Sequence, residues 1–465
     1  MSVARLNGSH ADLEWHRKMI SRIRQTLPDV PILLDIPGRK IRTALLRLEP
    51  KFLTGDTVIL TTDLNPADLG KISVNYSDLH LDLKAGDVVM ADDGTLKFTV
   101  KSVVGHDIHL RADCEGQLKS RKGINVPFVK LRTPEVTNRD RELIAFARQT
   151  GVDYVGISFV ESGNHVRAIR ELIGGNSPRI VAKVENQGGI DNLIEVLEAT
   201  DVVMIDRGDL SVETSIEMVA LFQKQILAMA GQAGKPVIVA TEMLHSMIVS
   251  RYPTKAEVSD ITNAVLDGCA AAMLSGETAV GAYPVESVDT MRRIVDSAVA
   301  FTVSTPRSYA NTDDPRYAMA NAIAMMCRDQ PVTKVVAVTS FGYAPRVLSL
   351  LFLKQPIIAV SNNEMTARSC NIFPGVEGVH VDIPFSRTST DHVVDCLREL
   401  FIKGHLTSED FVLVVAVGYP RSGRRMNLVQ THAIDELATL MGWAQTRVSR
   451  PHHQPDGAMA GAADH

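Results

Sequence analysis

Residues 180–213 read IVAKVENQGGIDNLIEVLEATDVVMIDRGDLSVE. An apolar run from Ile180 to Val184 carries Lys183 and ends at Glu185. Side chains repeat every two residues along a strand, so Lys183 and Glu185 share one face. Ile190, Leu193, Ile194 and Leu197 then recur at helical spacing, and a second apolar run, Val202 to Ile205, leads to Arg207-Gly208-Asp209. The stretch is one strand-helix-strand unit. Polar residues at the carboxyl ends of adjacent parallel strands converge on the mouth of an α/β barrel or sheet, so Glu185 and Asp209 can share one divalent cation beside Lys183. An ordinary Lys-Glu pair at a strand end is the alternative.

Working outward, the segment from Val3 reads as the end of a strand, followed by a helix with Leu13, Trp15, Ile20, Ile23 and Leu27. Val30 to Asp35 is the next strand, closed by a Pro37-Gly38 turn. From about Thr43 to Pro127 helical periodicity gives way to short β-like runs, Thr57 to Thr61, Asp87 to Met90 and Leu96 to Val103, separated by Gly and Asp. This predicts a β-domain inserted in a βα loop, where a barrel builds its active site. Asp92-Asp93-Gly94 reads as a hairpin turn with structural carboxylates. Beyond Pro127 strands are expected at Tyr154 to Val160, Ile180 to Val184, Val202 to Ile205, Val237 to Ala240 and Ala270 to Leu274, with helices between them.

A further alternating segment has helices at Ala318 to Met326 and His392 to Phe401, and strands at Lys334 to Thr339, Pro356 to Val360 and Phe411 to Val417. The predicted fold is α/β: a TIM-type (β/α)8 barrel at 1–43 and 128–300, a β-barrel-like lid at 44–127 and a C-terminal α/β domain at 315–446. The His-, Pro-, Ala- and Gly-rich tail at 447–465 reads as disordered.

Composition narrows the function. A chain of 465 residues with 45% hydrophobic content builds more than one core. The net charge of −5 recommends no nucleic-acid partner. Five scattered cysteines, Cys114, Cys269, Cys327, Cys370 and Cys396, lack metal-ligand spacing and fit a reducing cytosol as packing residues. No apolar run reaches the roughly 20 residues of a membrane span, so a soluble cytoplasmic protein is expected.

The strings AKVEN at 182–186 and RGDL at 207–210, followed by VATEMLHSM, PTKAEVSDITNAVLDG and MLSGETAVGAYPVESV, resemble the pyruvate kinase family in sequence and order. The resemblance covers nearly the whole chain and is weakest in the last third. It implies phosphoryl transfer from phosphoenolpyruvate to ADP in glycolysis, with Mg2+ (or Mn2+) as cofactor and a homotetrameric assembly. Such a reaction gathers negative charge, so the site needs cations and little covalent work.

By the same resemblance, Glu185 and Asp209 are the magnesium ligands, Lys183 faces the phosphoryl group and Gly208 lets the backbone approach the substrate carboxylate. Thr241 would help relay the proton that converts enolate to pyruvate, and Arg5 would contact substrate phosphate as a catalytic residue. Asn7, Ser9, His10, Arg42 and Lys122 match the nucleotide side, with Arg121 an alternative to Lys122. Asn7, Ser9, Asp35 and Ile36 stand at the family's potassium site. A strand-end hydroxyl for Thr241 and a solvated charge for Lys122 are the blander alternatives.

Three departures from the family pattern carry expectations. Lys40, in LDIPGRKIRT, stands where potassium-dependent members have glutamate. A tethered ammonium can substitute for a monovalent cation, so K+ should not be required. Asp206 replaces alanine, and its carboxylate should repel a trianionic substrate unless Arg207 or another cation neutralises it. The segment Thr339 to Arg346 lacks most hydroxyls of the sugar-phosphate effector loop, so no response to fructose bisphosphate is expected; Arg421, Ser422, Arg424 and Arg425 form an anion site or a solvated basic loop.

Seven barrel strands are legible where a closed barrel has eight, and the family's first strand lies upstream of RLN. The expectation is therefore a start placed too far downstream, or an open barrel. Two other functions remain: a non-catalytic paralogue binding phosphoenolpyruvate or nucleotide in a regulatory role, and a magnesium-dependent barrel enzyme acting on another enolate-forming substrate.

Overall fold

The computed structural model describes residues 1–92, 94–129, 131–132, 135–302, 307–310, 314–386, 388–417 and 426–443. Asp93, the basic segment with Arg421, Ser422, Arg424 and Arg425, and the 447–465 tail lie outside the described residues.

Seven parallel strands form the first sheet in chain order: β1 (Ala4–Asn7), β2 (Ile32–Ile36), β3 (Tyr154–Ile157), β4 (Arg179–Val184), β5 (Val202–Asp206), β6 (Val237–Ala240) and β7 (Ala271–Met273). Among the described residues β1 pairs with β2 alone and β7 with β6 alone. Helices such as Leu13–Thr26, Asn138–Thr150 and Lys255–Asp267 connect the strands. The last two start on capping boxes, Thr137 with Asp140 and Thr254 with Glu257, and end on left-handed Gly151 and Gly268. β2, β3, β5 and β6 are buried along their whole length, as expected of strands covered on both faces.

Between β2 and β3 the chain leaves to form a second seven-stranded sheet, built largely from antiparallel pairs. It includes Ile41–Arg42, Thr57–Thr61, Val88–Ala91, Leu96–Val104, Asp107–Ala112 and Gly123–Asn125. Its core of Val58, Leu60, Val89, Phe98, Ile108 and Leu110 is separate from that of the barrel sheet.

The third unit has strands β8 (Lys334–Val338), β9 (Ile357–Ser361), β10 (Val376–His380), β11 (Phe411–Ala416) and β12 (Leu428–Ala433), in the order β10-β9-β8-β11-β12 with only β12 antiparallel. The architecture is α/β: a barrel-like unit at the amino end, carrying the inserted β-sheet, and a separate α/β domain at the carboxyl end.

That domain covers the foot of the barrel-like sheet, where its strands begin. Cys370, Ile372 and Phe373 pack with Leu33, Tyr154, Val181 and Val202. Tyr154 donates to the Ser369 carbonyl at 2.6 Å, and Arg368 Nε donates to Asp153 at 3.1 Å. The carboxyl ends of the strands face the other way, toward the inserted domain.

Candidate active site

Lys183 lies one residue from the end of β4, buried to 4% exposure. Its Nζ sits 3.0 Å from Glu185 Oε2 and 3.1 Å from Asp206 Oδ2, and donates to Ser158 Oγ at 3.2 Å. The alternation read in the sequence thus puts Lys183 and Glu185 together. Glu185 is fully buried and accepts the Phe159 N–H at 2.8 Å. Lys40, from the segment entering the inserted domain, holds both Asp209 oxygens at 2.6 and 2.9 Å. Carboxylate oxygens of Glu185, Asp206 and Asp209 lie within 4.8 Å of one another.

Three carboxylates therefore face two ammonium groups, where solvent screens little. Buried charges left uncompensated cost several kcal/mol each, of order. Burial pushes the Glu185 carboxyl up to about 8 against the pull of Lys183, with Asp206 and Asp209 adding to the rise. Burial likewise raises Asp209 despite Lys40. Asp206 goes the other way: burial opposes its ionisation, but Lys183, Lys40 and Arg5 hold the carboxyl below its ordinary range. Burial also works against the Lys183 ammonium, yet Glu185, Asp206, Asp35 and Asp209 keep its pKa well above the ordinary value. Glu185 Oε2 has its ion pair with Lys183 and no well-aligned hydrogen bond. Hard oxygen donors that the two ammonium groups do not fully neutralise fit a divalent cation such as Mg2+, which would take the place of the proton that burial favours on Glu185.

The amino-terminal residues gather at the same mouth. Arg5 donates to Asp35 Oδ2 through Nε (2.8 Å) and Nη2 (2.6 Å), while Asp35 Oδ1 is buried without a hydrogen-bond partner. Asn7 pairs in register with Asp35, and its side chain accepts the Ser9 N–H at 3.0 Å. Desolvation, with the charges of Arg42 and Arg5, lowers the His10 pKa, which brings Arg42 within electrostatic reach of this segment. Ile36 is wholly buried at the end of β2 and presents no side-chain ligand. Lys122 lies within the inserted domain, paired with Asp92 at 2.6 Å. Arg121 donates its N–H to the Thr43 and Ala44 carbonyls, and its own carbonyl accepts from Arg42 Nη1 at 3.2 Å.

Thr241 follows β6 with φ of +69°, and Glu242 follows at +54°. A β-branched residue in that region is strained. Arg207 holds the turn, donating to the Thr241 carbonyl at 3.2 and 2.8 Å and to the Glu242 carbonyl at 3.2 Å, and pairing with Asp260 at 2.6 Å. The Thr241 hydroxyl accepts the Gly208 N–H at 2.8 Å and reaches Asp206 Oδ1 at 3.2 Å. A Cβ on Gly208 would meet its nearest neighbour at 3.6 Å, so the protein's own packing does not demand glycine there. Arg207 is thus not the cation beside Asp206; Lys183 is.

Sequence reasoning missed four features. Ser158 as acceptor for Lys183, the Lys40–Asp209 pair and the Arg207 clamp join residues too far apart in sequence for periodicity to couple. The fourth is local: Arg207–Glu213 forms a helix. Its run Leu210, Ser211, Val212 was too short to show a helical period.

Among the described residues no helix is long and apolar enough to cross a membrane. All five cysteines are free, and all but the half-buried Cys114 are buried.

Family comparison places residues 1–288 under "Pyruvate kinase, barrel domain" and residues 317–432 under "Pyruvate kinase, alpha/beta domain". The chain is 36% identical over 438 residues to the pyruvate kinase of Clostridium perfringens, covering 91% of this chain and 92% of that one. It is 35% identical over 452 residues to that of Sporosarcina psychrophila, covering 94% and 77%. To that of Geobacillus stearothermophilus it is 36% identical over 461 residues, covering 94% and 76%.

Proposed function

The chain belongs to the pyruvate kinase family, and on that premise we propose that it transfers the phosphoryl group of phosphoenolpyruvate to ADP, giving pyruvate and ATP. The observation that carries this reading is Lys183, an ammonium buried between Glu185 and Asp206 at the mouth of the barrel-like sheet. It is placed to stabilise negative charge on a phosphoryl group and on the enolate left behind. Glu185 and Asp209 would hold Mg2+, with Asp206 beside them; when bound, the ion supplies Lewis-acid charge stabilisation to the phosphoryl oxygens.

Arg5, fixed by Asp35, would orient the substrate phosphate. Thr241, fixed by Arg207, would hold a hydroxyl near the carbon that gains a proton. The Gly208 backbone would meet the substrate carboxylate. Asn7, Ser9 and His10 at the mouth, with Arg42 and Lys122 on the inserted domain, would bind the nucleotide phosphates. Lys40 already places a positive charge on Asp209, which supports turnover without K+ at a site where Ile36 offers no side-chain oxygen. Val249, Tyr252, Val280 and Val285 are all at least 75% exposed, which supports a homo-oligomer, in this family reading a tetramer.

The test is pyruvate formation by the purified chain with phosphoenolpyruvate, ADP and Mg2+, at constant ionic strength with and without K+. Turnover that needs ADP and Mg2+ and changes less than about twofold with K+ is expected. No turnover, with phosphoenolpyruvate or nucleotide still bound, would replace this reading with that of a regulatory paralogue.

A further inference from the structure

Two parts of the inserted domain, and the segment that enters it, touch one short helix, Arg207–Glu213. Lys40 Nζ holds Asp209, and a Cβ on Gly94 would lie 2.9 Å from Val212 Cγ2. Asn125 Nδ2 donates to Glu213 Oε1 at 2.6 Å. Asp209 and Glu213 are four residues apart, one above the other on the helix. The element that carries a cation ligand is therefore the element on which the lid rests.

Asn125 has a matching position on the other side. It ends the strand Gly123–Asn125, which begins one residue after Lys122 and pairs with Ile41–Arg42 on one side and Val88–Ala91 on the other. Lys122 and Arg42 are the two lid residues assigned above to nucleotide phosphate. We propose that the Asn125–Glu213 hydrogen bond is a latch that sets the closed position of the inserted domain, making both residues positioning residues for the nucleotide side of the site.

The contact is built to hold loosely. Asn125 is 1% exposed and its Oδ1 has no hydrogen-bond partner, so half of the amide's polar capacity is left unmet on closure. Burial also pushes the Glu213 carboxyl up to about 7. A cover that must open on each turnover needs such a contact, since one fully satisfied would hold product in. The pairing is also specific, because it joins single side chains from two separately cored units.

The kinetic part of the test rests on the function proposed above; the exchange part does not. Hydrogen–deuterium exchange across 41–42, 123–125 and 207–213 would be compared for the full wild-type chain, Glu213→Ala, Glu213→Gln and Asn125→Asp, with KM and kcat for ADP measured alongside. Glu213→Ala should speed exchange at 41–42 and 123–125 by about tenfold or more. It should also raise KM for ADP with a smaller effect on kcat. Asn125→Asp, which sets two carboxylates against each other, should do the same or more. Glu213→Gln keeps an oxygen acceptor for Asn125 and should return both readouts toward wild type.

The latch is overturned if Glu213→Ala leaves exchange and KM for ADP unchanged, or if Glu213→Gln is as impaired as Glu213→Ala. Should the wild type make no pyruvate, exchange alone decides the latch, and the functional reading fails separately.

Discussion

The two ends of the barrel-like sheet are built on opposite terms. At the foot, apolar side chains from β2 to β5 close against Phe373 and Cys370, and Tyr154 is matched with the Ser369 carbonyl and Arg368 with Asp153. Asp201 accepts the Ile180 N–H at 2.9 Å and the Arg170 guanidinium at 2.9 Å; burial opposes its ionisation, and these partners still hold its carboxyl below the ordinary range. At the mouth, Glu185 is buried and Asp209 half-buried, both carboxyls are pushed up, two ammonium groups serve three carboxylates, and Thr241 sits in a strained turn. The foot carries stability, and the mouth carries carboxyl groups whose full ionisation waits for a cation.

The sharpest way to break this contrast is at Lys183. Lys183→Met removes the ammonium shared by Glu185 and Asp206 and should lower pyruvate formation by about a thousandfold, judged from what one preorganised charge contributes to catalysis. Steady-state rates check it, with circular dichroism to show that the variant folds. A loss below tenfold would separate Lys183 from the chemistry.

At the foot the expected effect is on stability alone. Phe373 is 3% exposed, and Phe373→Ala should cost about 3–5 kcal/mol in urea unfolding while kcat stays within about twofold of wild type. A variant as stable as wild type, or one that loses activity at full stability, would mean that the two ends are not separable.

The smaller effect is in pH, and its sign differs between the ends. Asp201 has a folded pKa below its unfolded value near 3.8, so its contribution is present above that value and disappears as pH falls through the folded pKa. Glu185 has a folded pKa of about 8 against 4.5 unfolded, so in metal-free protein its contribution is complete below 4.5 and is lost as pH rises toward 8. Chemical unfolding across pH should show Glu185→Gln flattening the alkaline slope and Asp201→Asn flattening the acid one. An unchanged alkaline slope in Glu185→Gln would contradict the charge count at the mouth.

The difference between the ends also explains what the sequence could and could not show. Period-two alternation made β4 and the shared face of Lys183 and Glu185 legible, and apolar runs bounded by turns located all seven barrel strands. β10 (Val376–His380) and β12 (Leu428–Ala433) were missed, because VEGVH and LVQTHA carry polar residues on partly exposed strands. Lys40 and Asp209 are 169 residues apart, Asn125 and Glu213 are 88 apart, and no local pattern pairs such residues. The charge at Asp206 was visible as an oddity, but its partner was not: Arg207 stood next to it in sequence, whereas Lys183 stands next to it in space.

The claim that the mouth is short of positive charge is tested most directly by titrating the metal-free chain with Mn2+ and following free ion by electron paramagnetic resonance. The account predicts one tight ion per wild-type chain, with affinity lowered about tenfold or more in Glu185→Gln and in Asp209→Asn. Absence of binding by wild type, or binding by both variants as tight as wild type, would contradict it.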